Sequence, residues 1–311
     1  MRDNNGDNED LSRRAKLIRG MVAEFNRHTL LKNHFVADVR GVSEFDKTYK
    51  YPEQYDTSQY ELENFRMELL SKKESESSWI ILQLHGGGYV GAFKNNYRNM
   101  AKFYCEAGDG AKVLTIDYRV APEHPFPAAL DDAIAAYKWL LDNGYAEDRI
   151  ILAGDSAGGG LALALCLYLK DNNMKLPAAI IGISPWTDLT ASGASYVDNK
   201  DIDPVFGNSK DDLINDSAYI GDDSPENPYI SPLFGEYEDF PPMLIQVGTH
   251  EMLLSDSVSL AEKAKKAGVD VTLTQYEGMF HVFQMVGYLI PESKKAWEEI
   301  GEFIGKLQYH K

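Results

Sequence analysis

The chain has 311 residues, 44% of them hydrophobic and 11% aromatic, enough apolar surface for a substantial core. Its 31 Lys and Arg against 48 Asp and Glu leave a formal charge of −17, which disfavours nucleic acid and anionic membranes as partners. The acidic, polar start is not a secretory leader and no apolar run approaches membrane-spanning length, so a cytoplasmic protein without membrane insertion is expected.

Residues 1–10 are expected to be disordered. Residues 11–31 then show a helical pattern, with Leu17, Ile18, Met21, Val22 and Phe25 at helical spacing, and the stripe of Met21, Val22 and Phe25 is expected to be buried against 185–240 over Ser156. A polar, Tyr-rich connector runs to about Tyr60, and residues 61–70 alternate weakly as an edge strand would. Strands are expected at 79–84, 112–116, 149–153, 178–184, 243–247 and 270–276. Helices are expected at 96–106, 127–143, 161–169, 255–267 and 291–307. Strands alternating with helices at this spacing indicate a mostly parallel sheet covered on both faces, an α/β fold.

The alternation breaks at 185–240, rich in Gly, Pro, Asp, Asn and Ser, with helical hints only near 209–219. So long a segment between two sheet strands usually covers a functional site, and it is read here as an inserted cap on a single domain. Cys105 and Cys166 sit in apolar helical contexts and are read as reduced, buried thiols. No His, Cys or Asp cluster has ligand spacing, so neither metal nor cofactor is expected.

The most informative stretch is Gly154-Asp155-Ser156-Ala157-Gly158, set between an apolar strand and an apolar helix. Gly-x-Ser-x-Gly in that context is the setting of a nucleophile elbow. A serine hydroxyl needs a base, and the base needs a carboxylate; in this architecture they follow in the order acid, then histidine. Only His250, His281 and His310 follow Ser156. His281 lies in a loop just past the last strand and suits the base, while His310 is beside the C-terminus and His250 is read as shaping the acid's loop. Glu251, close to the end of the 243–247 strand, is favoured as the acid over Asp256, which has an alternative role as a first-turn or capping carboxylate. The run His85-Gly86-Gly87-Gly88 after the strand 79–84 can turn backbone N–H groups toward an oxyanion.

Three linked motifs, His85-Gly86-Gly87-Gly88, the run 117–129 and Gly154-Asp155-Ser156-Ala157-Gly158-Gly159, together with Ser184-Pro185-Trp186-Thr187-Asp188 and Gly278-Met279-Phe280-His281, resemble the hormone-sensitive-lipase-like family of α/β-hydrolase carboxylesterases. The resemblance implies an α/β-hydrolase fold with Ser156 as nucleophile and His281 as base. It implies an oxyanion hole from the amides of Gly87, Gly88 and Ala157, with His85 bracing their loop. It also implies a cap from about 11–50 and 185–240, short-chain acyl esters as substrates, and homodimers. Many members of that family carry Asp where Glu251 stands. Amide or lactone hydrolysis by the same triad, and a catalytically silent small-molecule receptor on the same fold, are the alternatives; the presence of His281 argues against the receptor.

Overall fold

A computed structural model describes residues 11–30, 42–207 and 217–307, with backbone alone for 27–30. The start at 1–10, His310 and most of the helical hint at 209–219 lie outside the described residues.

The described chain runs α1 (Arg13–Leu30), β1 (Tyr55–Glu61), β2 (Arg66–Lys72), β3 (Ile80–Leu84), α2 (Asn95–Ala107), β4 (Lys112–Asp117), α3 (Ala128–Asp142), β5 (Ile150–Asp155), α4 (Ala157–Asp171) and β6 (Ala179–Ile183). After a short α5 (Ser195–Asp198) come β7 (Met243–Gly248), α6 (Leu254–Lys266), β8 (Val271–Tyr276), a kinked 3₁₀ segment (Phe283–Leu289) and α7 (Pro291–Leu307). The strands form one eight-stranded sheet in the order β1-β2-β4-β3-β5-β6-β7-β8. Pairing is antiparallel for β1–β2 and β2–β4 and parallel from β4 through β8.

Strand β3 and β5 are buried at every position, as their unbroken apolar runs require of strands covered on both faces. Alternate residues feed two cores. Ile80, Leu82, Leu114 and Leu152 pack with α3, α4 and α6 on one face, while Ile81, Val113, Ile151 and Ala153 pack with α2 and α7 on the other. Helix α4 sits directly on the sheet and is apolar nearly all round. Both cysteines are buried free thiols; burial pushes the Cys105 thiol up to about 11.

Two local differences from the sequence expectation have physical causes. The weak strand at 61–70 is a hairpin, β1 and β2, whose first strand alternates little because most of it faces solvent. Helix α1 buries Ala15 and Asn26, with Ile18 and Val22 partly covered and Leu11 buried just ahead of it, rather than the stripe that includes Met21 and Phe25. Positions 15, 18, 22 and 26 share one helical face, and Leu17, Met21 and Phe25 lie on the opposite side with 65%, 62% and 69% of their surface exposed.

Candidate active site

Ser156 stands between the last residue of β5 and the first of α4, so strand passes to helix across a single residue. Its backbone adopts φ 53° and ψ −123°, a conformation that costs energy for any residue with a Cβ. The corner closes because its flanks are bare. A Cβ on Gly154 would come within 2.2 Å of the Gly158 carbonyl oxygen, and one on Gly158 within 2.1 Å of the Leu84 carbonyl oxygen. The Ser156 amide donates to Ile183, and its carbonyl accepts from Trp186, pinning the corner to β6 and the loop after it.

The loop after β3 turns back toward this corner. Gly87 and Gly88 have φ of 116° and 62°, and neither amide donates to a backbone acceptor among the described residues. Ala157 opens α4, where an amide has no partner one turn back. His85 is fully buried, stacked on Tyr118 with ring centres 4.1 Å apart, and its carbonyl accepts from the Tyr118 hydroxyl at 2.6 Å. Burial holds the His85 imidazole below its usual range, so it fills space beneath the loop as a neutral ring.

His281 follows β8 by five residues, and its Nδ1 lies 2.9 Å from Oε2 of Glu251, which follows β7 by three. Glu251 is fully buried; its Oε1 accepts from the Ser184 hydroxyl at 2.8 Å and from the Gly248 amide at 2.5 Å. A carboxylate only accepts, so the proton in the histidine–glutamate bond belongs to Nδ1 and the Nε2 lone pair is left available. Asn199 fixes the same loop, donating to the carbonyls of Glu251 at 2.7 Å and Thr249 at 3.0 Å. Arg19 on α1 lies 2.9 Å from His250 Nδ1 and donates to the Gly278 carbonyl, joining the loops that carry Glu251 and His281.

Asp256 faces elsewhere. It occupies the first turn of α6, yet it forms no cap bond to its own helix; its Oδ2 accepts the amides of Thr187 and Asp188, both at 2.8 Å. Burial pushes its carboxyl up to about 7 against those two hydrogen bonds. Asp256 is thus a first-turn carboxylate, as expected, but instead of capping its helix it supports the loop after β6.

Ser156 and His281 line one cavity of ≈490 Å³ together with the glycines at 86–88. Among the described residues no hydrogen bond joins their side chains. Trp186, Leu253, Phe206 and Phe280 make the walls apolar, and the Phe206 ring lies 4.7 Å from that of His281. Val22 and Asn26 of α1 line the cavity beside Val205 and Phe206, and Asn26 donates to the Pro204 carbonyl at 2.8 Å. The N-terminal helix and the segment after β6 thus meet at the same cavity.

Three residues here have roles that the sequence reading did not assign, although Ser184 and Asp155 stand in its motifs. Ser184, at φ 46°, holds Glu251 and also accepts from the Val282 amide at 3.3 Å. Asn199 acts from just past the short α5, a stretch with no periodic signal. Asp155 is buried against the glycine loop, where a Cβ on Gly86 would meet its Oδ2 at 2.3 Å. Burial pushes the Asp155 carboxyl up to about 7, opposed by the nearby His281 and the Gly86 amide.

Comparison with known proteins gives the family. Residues 81–285 match the family described as the alpha/beta hydrolase fold. The chain is 41% identical over 224 residues to an acetyl-hydrolase of Streptomyces hygroscopicus, covering 72% of this chain and 74% of that one. It is 36% identical over 244 residues to an esterase of Acinetobacter venetianus, covering 76% and 78%. Among solved structures, an esterase from the bacterial hormone-sensitive lipase family superposes with a TM-score of 0.81 at 34% identity, covering 95% of this chain and 98% of that chain. A hormone-sensitive lipase from a metagenome library gives 0.82 at 33%, covering 94% and 98%. The chain belongs to the α/β-hydrolase family, in its hormone-sensitive-lipase-like branch of serine ester hydrolases.

Proposed function

We propose that this protein hydrolyses short-chain acyl esters through Ser156, His281 and Glu251 and an acyl-enzyme intermediate. The observation that carries the reading is the joint placement of a strained Ser156 corner and a Glu251-bound His281 on one cavity. With its proton on Nδ1, His281 takes the Ser156 hydroxyl proton at Nε2 as Oγ attacks the ester carbonyl carbon. The carbonyl oxygen becomes an oxyanion facing the amides of Gly87, Gly88 and Ala157, which are preorganised donors for it. The buried Glu251 carboxylate stabilises the imidazolium formed in that step. His281 returns the proton to the alcohol oxygen as the carbon–oxygen bond breaks, leaving the acyl group on Oγ. Water then attacks the acyl carbon, gives its proton to Nε2, and the acid departs as Ser156 recovers its hydrogen.

The helix α1 and the segment after β6 act as the cap in this scheme, setting which acyl groups fit. A cavity of ≈490 Å³ with aromatic walls lies in the lower part of the range for small-molecule sites, which supports small substrates. The likeness to an acetyl-hydrolase points the same way. The test is a series of p-nitrophenyl esters of rising acyl length, with a serine-directed phosphonate mapped by mass spectrometry. Turnover that falls with length and an adduct on Ser156 are expected. No adduct, or an adduct elsewhere, would overturn the assignment.

A further inference from the structure

Exposed large apolar side chains are concentrated on the segments that also line the cavity. Leu17, Met21 and Phe25 stand out from α1, whose other face brings Val22 to the cavity wall. Ile202 is 43% exposed just before Val205, which lines the cavity, and Leu289, 65% exposed, ends the kinked segment that supplies Met285. Leu17, Met21 and Phe25 follow each other at four-residue steps, so they form one continuous ridge along the helix. A monomer has no folding reason to present such a ridge to water.

The charge on the same helix runs against the rest of the chain. Helix α1 carries five Lys and Arg against one Glu, in a protein of net charge −17. Arg13 and Arg14 are exposed at its start, and Arg14 lies on the same side as Leu17 and Met21. Exposed apolar residues beside basic ones on a helix lying along a protein surface are the pattern of an interfacial helix.

We propose that the outer face of α1 docks this protein on the surface of an anionic phospholipid bilayer. Leu17, Met21 and Phe25 enter the boundary between headgroups and acyl chains, and Arg13 and Arg14 meet lipid phosphates. The overall negative charge opposes approach, but screening over roughly 8 Å at physiological salt leaves the sign nearest the bilayer in control. Arg13 and Arg14 beside the ridge complement lipid phosphates, which suits this face to an anionic bilayer, and a second copy on the ridge is an outcome of the test. This docking does not depend on Ser156 being the nucleophile.

The test is sedimentation of the full chain with vesicles of phosphatidylcholine alone and of equal parts phosphatidylcholine and phosphatidylglycerol. Binding to the mixed vesicles should exceed binding to pure phosphatidylcholine by at least about tenfold and weaken with salt. The triple variant Leu17→Ser, Met21→Ser, Phe25→Ser should lose that binding by a similar factor while keeping its thermal midpoint, since these side chains are exposed. Arg13→Glu with Arg14→Glu should abolish the preference for anionic vesicles. Equal binding to both vesicle types, no binding, or an intact response in the triple variant would overturn the proposal. So would a wild-type dimer in light scattering that the triple variant converts to monomer, since a second copy would then cover the ridge.

Discussion

The Nδ1 of His281 and the Oε2 of Glu251 lie 2.9 Å apart, and the other oxygen of that carboxylate is already held by Ser184 and the Gly248 amide. Both oxygens are committed, so the carboxylate cannot rotate away from the ring. Glu251→Gln keeps the shape and removes the charge. Its amide can also place an N–H against Nδ1, which would favour the wrong tautomer. We expect kcat to fall by roughly 10² to 10⁴ with little change in KM. Glu251→Asp keeps the charge on a shorter arm and should lose less. Steady-state kinetics on a short ester decides the point, and a Glu251→Gln enzyme within about tenfold of wild type would remove Glu251 from the mechanism.

Ser156 and His281 share the cavity without a hydrogen bond, so their coupling must be tested kinetically. Ser156→Ala and His281→Ala should each cost several orders of magnitude, and the double variant little more, because groups that act as a unit are not additive. Additive losses in the double variant would mean that the two side chains work independently.

Ser184 anchors Glu251 from the end of β6 and is held at φ 46°, where a side chain is unfavourable. Ser184→Ala should lower kcat by about tenfold through a less well-held carboxylate, with the substrate walls untouched. Ser184→Gly loses the same hydroxyl but relieves the backbone, so it should match the alanine in kcat and exceed it in thermal stability. If the glycine variant regains kcat, backbone geometry and not the hydroxyl explains the effect.

How much of this was legible in the sequence follows from where each signal resides. The buried strands β3 and β5 are unbroken apolar runs, and the corner at Ser156 is marked by glycines that backbone contact demands, so local residue types reveal them. Strand β1 escaped because it pairs through its backbone while its side chains face water, leaving no alternation to read. The buried face of α1 was misplaced because Leu17, Met21 and Phe25 are as apolar and as regularly spaced as the residues that are covered. Ser184 and Asn199 reach Glu251 across 67 and 52 positions; Ser184 stands in a motif but its partner is not readable from it, and nothing local distinguishes Asn199 from loop residues. Asp256 looked like a helix-start carboxylate and holds a distant loop instead, since spacing fixes its place on the helix but not the partner it meets.

That carboxylate should make the protein's stability depend on pH in a direction opposite to the usual surface salt bridge. Asp256 is 1% exposed, and burial pushes its carboxyl up to about 7; Asp155 is shifted in the same direction to about 7. A carboxyl whose value is raised by folding favours the folded state when neutral. That stability is fully present below the unfolded value and is lost as pH rises through about 7. From about pH 5 to about pH 8 this site should cost on the order of 2 to 3 kcal/mol of folding stability. Asp256→Asn is neutral throughout and can still accept the Thr187 and Asp188 amides through its oxygen. Its stability relative to wild type should therefore improve as pH rises, whatever fixed penalty the substitution carries. Thermal midpoints of both proteins across about pH 5 to about pH 8 provide the measurement. A wild-type profile falling more steeply than that of the variant is expected; parallel profiles would mean that Asp256 does not titrate in this range and that its two amide bonds hold it ionised.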